Sequence, residues 1–310
     1  MTPTAIAATT LSSVFWSLFD FSRKKLAARL EPVPVVIWLM LLQTPIFVPF
    51  MFTEAWTLPP AEYYVPAIAS LLLNIFANVL FVLSMRLAPL SLAVPMLSLG
   101  PVFSATAGFL LLGEEVSVRQ LIGIAIVVVS AFALGRAGAR AEAAKSADLP
   151  KSRGLSQVGR GLVMMTAVAA LWSTTPVLDK ICLRTVASSE HAFLQCLAIA
   201  LCLMAWTGWR SRGANDSGTT STSLQAVVRL SQLRENALWL GGATVVAAAA
   251  LLTQFWAIQL VAVGIFESLK RAVGMLSALI LGLVFLNEPV TLPKALAIGG
   301  MAVGVFILLA

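Results

Sequence analysis

Ten apolar runs, each close to 20 residues long, divide the chain at roughly 5–22, 33–52, 64–84, 90–112, 118–135, 161–178, 192–209, 237–259, 264–286 and 291–310. A helix of about 20 apolar residues crosses the hydrocarbon core of a bilayer. No water satisfies the backbone there, so only helices and closed barrels can span it. The runs lack the in–out alternation of barrel strands, which leaves helices. The expectation is an all-α integral membrane protein with ten transmembrane helices. Composition agrees: 59% of the 310 residues are hydrophobic, 11% are charged and the mean hydropathy is +0.92. That leaves too little polar surface to cover a soluble domain of this length. The first run has no positive residue before it and is followed by Arg23, Lys24, Lys25 and Arg29, the reverse of a signal peptide, so it counts as a span.

Two polar stretches break the pattern. Residues 136–160 make a basic linker at the midpoint, and residues 210–236 a second polar loop. Five runs fall on each side of the linker, so the units expected are 1–135 and 161–310. They are copies of one another. The segment from Ser98, "SLGPVFSATAGFLLLGEEVS", aligns without a gap at a constant offset of 174 against the segment from Ala272, "AVGMLSALILGLVFLNEPVT". The offset pairs Gly100 with Gly274, Gly108 with Gly282 and Glu114 with Glu288. The opening helices match at an offset of 156, pairing Trp16, Ser17 and Lys24 with Trp172, Ser173 and Lys180. A duplicated unit with an odd number of spans must enter from the opposite face, which gives two inverted five-helix repeats around a central cavity, with a binding site near the midplane. Such a chain is expected to be a secondary transporter working by alternating access on a small polar solute. A membrane scaffold or sensor that transports nothing is the alternative. Sixteen of the Lys and Arg residues follow odd-numbered spans and three follow even-numbered ones. The positive-inside rule then puts both termini outside, in a multi-pass protein of a bacterial-type inner membrane. The net charge of +7 is read as topology, with no nucleic-acid partner.

The repeated Trp-Ser … Lys opening, the Gly-rich fourth helix of each half and the "LLGEEVS" and "LNEPVT" terminations resemble the EamA repeat of the drug/metabolite transporter superfamily. The resemblance covers nearly the whole chain outside the two polar loops. It implies a ten-helix basket with a central cavity and a substrate range of amino acids, other metabolites, sugars and drugs. A common family arrangement keeps both termini cytoplasmic, whereas the charge distribution here argues for the outside.

One segment breaks the symmetry. "FESLKR" places Glu267, Lys270 and Arg271 inside an apolar run, where their counterparts in the first copy are Ala93, Met96 and Leu97. Spacings of three and four put the charges on one helix face. Their net +1 suits a carboxylate or phosphate, and Glu267 suits an amine or a proton. Asn74 and Asn78, spaced i, i+4, and Gln254 are further candidates for substrate contact, with Gln259 in a similar position. Trp16 and Trp172 could stack on a substrate, as could Trp256, and Lys180 either lines the cavity or snorkels to the interface. Glu267, Asp20 and Asp179 are candidate proton-coupling groups, Asp20 standing one turn from Lys24. Glu114 and Glu288 are read as structural caps on the helix that follows each of them. His191, beside Glu190, is read as a solvated loop histidine, and Cys182, Cys196 and Cys202 as packing residues. With one histidine, no CxxC and no His/Cys cluster, no metal, cofactor or enzymatic constellation is expected. Without a Walker A motif, the energy would come from a gradient. The partners expected are a small-molecule substrate and the bilayer, with the protein a monomer or weak homodimer.

Overall fold

Each apolar run closes its backbone hydrogen bonds within itself, as a segment with no water to turn to must. The computed structural model describes residues 2–27, 30, 32–52, 58–88, 94–145, 155–215, 234–286 and 292–309, which hold ten α-helices and no strand. They are α1 (Pro3–Ala27), α2 (Pro32–Met51), α3 (Ala61–Leu87), α4 (Gly100–Leu112) and α5 (Val118–Lys145), then α6 (Leu155–Cys182), α7 (Ser188–Asn215), α8 (Ala237–Leu260), α9 (Val263–Leu286) and α10 (Leu292–Leu309). α5 runs on to Lys145 and α6 begins at Leu155, so the basic linker expected over 136–160 is helical at both of its ends. The fourth apolar run is not one continuous α-helix. A 3-10 segment, Val94–Leu99, precedes α4. Pro95 cannot donate to an i−4 carbonyl, and Pro101 is tolerated because it stands in the first turn of α4. The matching positions of the second half are Leu269 and Met275, and α9 is continuous.

The helices pack in a pattern that survives exchange of the two halves. α1 lies against α8 and α9, and its counterpart α6 lies against α3 and α4. The pairs α2–α7, α4–α9 and α5–α10 map onto themselves. Ala5 and Ala8, near the start of α1, share one apolar cluster with Leu183, just past the end of α6, and with Val261, just past α8. Near the start of α6, Gly161 O accepts from Ser84 Oγ at 2.7 Å, close to the end of α3.

Small residues bring the helix axes together, because packing rather than water exclusion drives association in lipid. The Ala247–Ala250 stretch of α8 lets α1 approach until Ser12 Oγ donates to Ala250 O at 3.3 Å. Other hydroxyls of α1 donate back one turn, Thr9 to Ala5 O, Ser13 to Thr9 O and Ser17 to Ser13 O, at 2.7–2.8 Å. At the α5–α10 crossing, a Cβ on Gly304 would stand 3.0 Å from both Gly123 O and Val127 N, so only glycine fits. Large apolar side chains such as Phe109, Val129, Val163 and Phe306 point outward. Among the described residues, five stretches are long and apolar enough to cross a membrane: Val33–Met51, Val118–Arg136, Gly159–Cys182, Ser188–Trp209 and Ala237–Leu260. Met96–Leu112 and Ala295–Leu308 are shorter apolar helices. The protein is an integral membrane protein.

Gly304→Ala should push α5 and α10 apart and cost about 1–3 kcal/mol. Gly299→Ala, with nothing within 4 Å of the new methyl, should be neutral or stabilising by up to about 1 kcal/mol. Thermal unfolding in detergent separates the two; equal shifts would refute the close crossing.

Candidate functional site

The charged face of α9 meets four neighbouring helices. Lys270 Nζ donates to Glu267 Oε1 at 3.0 Å, one turn back, and to Gln254 Oε1 of α8 at 3.2 Å. The same ammonium lies 5.2 Å from the centre of the Trp16 ring of α1 and 5.5 Å from that of Phe266, which adds cation–π attraction. Glu267 and Gln254 are buried. Arg271 reaches toward α4 and α6: its Nη2 lies 3.6 Å from where a Cβ on Gly100 would stand, and Ser173 Oγ lies 3.0 Å from the same point. Glu267 and Asp20 are within electrostatic reach of the guanidinium. Arg271 Nε and Trp16 Nε1 are nevertheless buried without a hydrogen-bond partner among the described residues, as is Ser98 Oγ, two residues before Gly100. Two of these three groups, Arg271 Nε and Trp16 Nε1, are donors only.

Thus Glu267, Lys270, Gln254 and Trp16 meet, and Arg271 adjoins them. The other sequence candidates stand elsewhere. Trp172 packs on Phe81, ring centres 5.4 Å apart, within an apolar cluster that includes Met165 and Val168. Asn78 is exposed, and its Nδ2 donates to Asn74 O at 2.7 Å within α3. Gln259 donates to Ser188 Oγ and to Phe255 O, and Trp256 is exposed. Asp20 is exposed on α1. Cys182 and Cys196 are buried, while Cys202 is exposed. Glu288 and the side chain of Lys24 lie outside the described residues.

Lys180 is held in an ion pair with Glu114 of the opposite half. Its Nζ donates to Glu114 Oε1 at 2.6 Å and to Val261 O at 2.8 Å. The local sequence sets this up. Gly113 ends α4 in the left-handed region at φ +66°, with its N–H on Phe109 O and that of Glu114 on Gly108 O. This left-handed cap turns Glu114 out of the helix line. Its Oε2 then accepts from the N–H of Val263, the first residue of α9, at 2.8 Å. Glu114 therefore caps a helix, as read from the sequence, but the helix is α9 of the opposite half rather than α5.

A second polar centre lies beside this contact. Asp179 Oδ1, buried on α6, accepts from Ser70 Oγ of α3 at 2.7 Å and from Gln195 Nε2 of α7 at 3.2 Å. His191 Nε2 stands 3.4 Å from the same oxygen, and Tyr63 Oη of α3 lies 2.9 Å from His191 Nδ1. His191 is 1% exposed, which corrects its reading as a solvated loop residue: the first turn of α7 turns it inward, between Tyr63 and Phe255. The signal that could have found it is subtraction of the repeat. At the offset of 156, Asp179, His191 and Gln195 fall on Arg23, Val35 and Leu39.

The EamA-like transporter family model matches residues 3–136 and again 159–310, and the chain belongs to that family. It is a family of membrane transporters within the drug/metabolite superfamily. No curated protein matches the chain. A solved structure titled "Crystal structure of protein" is similar over 99% of this chain and 98% of its own, with a TM-score of 0.75 at 16% identity, a likeness of fold.

Glu114→Gln and Lys180→Met should each lower stability by up to about 3 kcal/mol, since each strands a partly buried charge. A double-mutant cycle by thermal or chemical unfolding should return a coupling of roughly 1 kcal/mol or more. Strict additivity would remove the pair from the account of how α9 is held.

Proposed function

We propose that the protein is a secondary transporter that moves a small polar metabolite bearing a carboxylate, such as an amino acid or similar organic solute, by alternating access. All ten helices cross the membrane as two inverted halves. The sharing of one apolar cluster by the start of α1 and the end of α6 supports that inversion. So does the packing pattern that survives exchange of the halves. Rocking of one half against the other would carry the site between faces, driven by a gradient. The site is the α9 patch, and one observation carries the assignment: Arg271 Nε is buried and unpartnered in a helix whose repeat counterpart is apolar there. A buried guanidinium is costly without an anion, and a substrate carboxylate supplies two acceptors in the geometry it prefers. Glu267 would take a substrate amine in exchange for Lys270. Lys270 lies about 10 Å along α9 at 1.5 Å per residue, between the helix end and its middle.

A scaffold that binds no ligand would have its buried donors satisfied within the protein. Arg271, Trp16 and Ser98 count against that reading. The Lys and Arg distribution supports an orientation with both termini outside, in a bacterial-type inner membrane.

The test is a thermal-shift screen of the purified protein against amino acids and small carboxylic acids, followed by counterflow of the stabilising compound in proteoliposomes. At about 100 times its dissociation constant a ligand stabilises by roughly 2.7 kcal/mol, well within reach of detection. Arg271→Ala should abolish the shift and reduce counterflow at least about tenfold, the loss of a charge-assisted hydrogen bond, while Asn78→Ala leaves both unchanged. A wild-type protein that binds but exchanges nothing would favour the sensor.

A further inference from the structure

We infer that His191, held by Asp179 and Tyr63, is a proton-binding site separate from the α9 patch, and that its protonation state sets access at that end of the protein. The proposal rests on the transporter reading for its purpose, but the site stands on its own geometry. Three helices converge to build it. α6 supplies Asp179, α7 supplies His191 and Gln195, and α3 supplies Tyr63 and Ser70, at 2.7–3.4 Å from one another. The ionisable groups facing it are Glu190 on α7, Cys182 on α6 and Tyr64 next to Tyr63. Asp179, His191 and Glu190 are each at most 6% exposed.

The scaffold does not require this cluster. In the first half the matching positions hold Arg23, Val35 and Leu39, and Tyr63 and Ser70 fall on Ala237 and Thr244 at the offset of 174. His191 and its counterpart Val35 are both buried, so the histidine answers something the fold does not ask of both copies.

The chemistry is that of a single proton. With His191 neutral, Tyr63 Oη donates to Nδ1, Nε2–H faces Asp179 Oδ1, and the pair carries the charge of the carboxylate. A proton arriving at Nδ1 turns the Tyr63 hydroxyl from donor to acceptor. It leaves an imidazolium against the carboxylate, with the pair's net charge at zero. Asp179 thus holds the proton that His191 binds, a positioning role supported by the hydrogen bonds from Ser70 and Gln195.

The next residue of the chain links this change to access. Lys180 follows Asp179 and binds Glu114, which caps α9 through Val263. A unit change of charge beside Lys180 alters its attraction for Glu114, and with it the hold on the start of α9.

The test uses the chain's single histidine, so tag-free protein labelled with nitrogen-15 histidine gives one side-chain signal by NMR across a pH series. The signal should change with pH in wild type, and the midpoint of that change should differ in Asp179→Asn. In parallel, Ala262→Cys in a C202S background, between α8 and α9, is labelled with a charged maleimide in liposomes, with rates normalised to Cys202 in the parent chain. Labelling should change at least threefold over the range in which the histidine titrates, and should be flat with pH in His191→Gln. Ser70→Ala, which keeps both ionisable groups, should keep the amplitude and move the midpoint, so the proposal stays testable if Asp179→Asn does not fold. A histidine that titrates identically in wild type and Asp179→Asn overturns the proposal, as does labelling that responds to pH equally with and without His191. Neither readout uses a transported solute, so failure of counterflow would sink the transporter reading while leaving proton binding intact, and the reverse.

Discussion

Glu114 is the point at which four helix ends are joined. Its carboxylate accepts the Lys180 ammonium from the end of α6 and the Val263 N–H from the start of α9, while Lys180 also reaches Val261 O just past α8. Glu114 itself follows the cap of α4. A helix end left unsatisfied in or near hydrocarbon costs several kcal/mol by rough estimate. The carboxylate therefore fixes where α9 begins relative to α4 and α6. The placement of Glu267, Lys270 and Arg271, one to two turns further along α9, depends on that fixed start. Without the tie, the α9 charges would have no defined register against Trp16, Gln254 and Gly100.

The helices and the duplication were legible in the sequence because both depend on local properties. Twenty consecutive apolar residues specify a helix whatever surrounds them, and a repeat is visible as identity at a fixed spacing. The repeated Ser and Gly also have a shared contact: Gly100 faces Ser173, and Gly274 faces Ser17 at 3.7 Å from its Cβ position, at the equivalent α4–α6 and α9–α1 contacts. Subtracting one half from the other picked out the α9 charges, and Gln254 and Trp16 came to the same place.

What could not be read depends on which helix ends meet across the halves. Glu114 looked like a cap for α5 because α5 follows it in the chain, yet α9 is nearer in space. Asn74 and Asn78 share a face as their spacing requires, but spacing does not say what that face meets, and Asn78 is exposed. His191 sits near a run boundary, where a loop histidine is the ordinary expectation. Only the inward turn of α7 against Tyr63 and Phe255 removes it from water. The 3-10 segment before α4 was marked by Pro95 and Pro101, a backbone signal carried by two residues within a run whose hydropathy alone favoured a continuous helix.

Symmetry and chemistry divide the molecule between them. Contacts that hold the helices together recur in both halves: small residues at crossings, the Ser–Gly approaches, and matched helix pairs. The ionisable residues of the two polar centres do not recur, whereas Glu114 and Lys180 do, as Glu288 and Lys24. The α9 patch has apolar counterparts, and Asp179 with His191 has Arg23 and Val35. Both centres lie at the end of the bundle where Glu114 ties α4, α6 and α9. Under the proposed alternating access, a symmetric scaffold would supply two arrangements of equal standing, and something would have to bias the choice between them. Charge placed in one half only is such a bias, because its interaction energy differs between the two arrangements. Asp179, which faces away from the neighbouring Lys180 on the same turn of α6, puts that charge at the junction of the two centres.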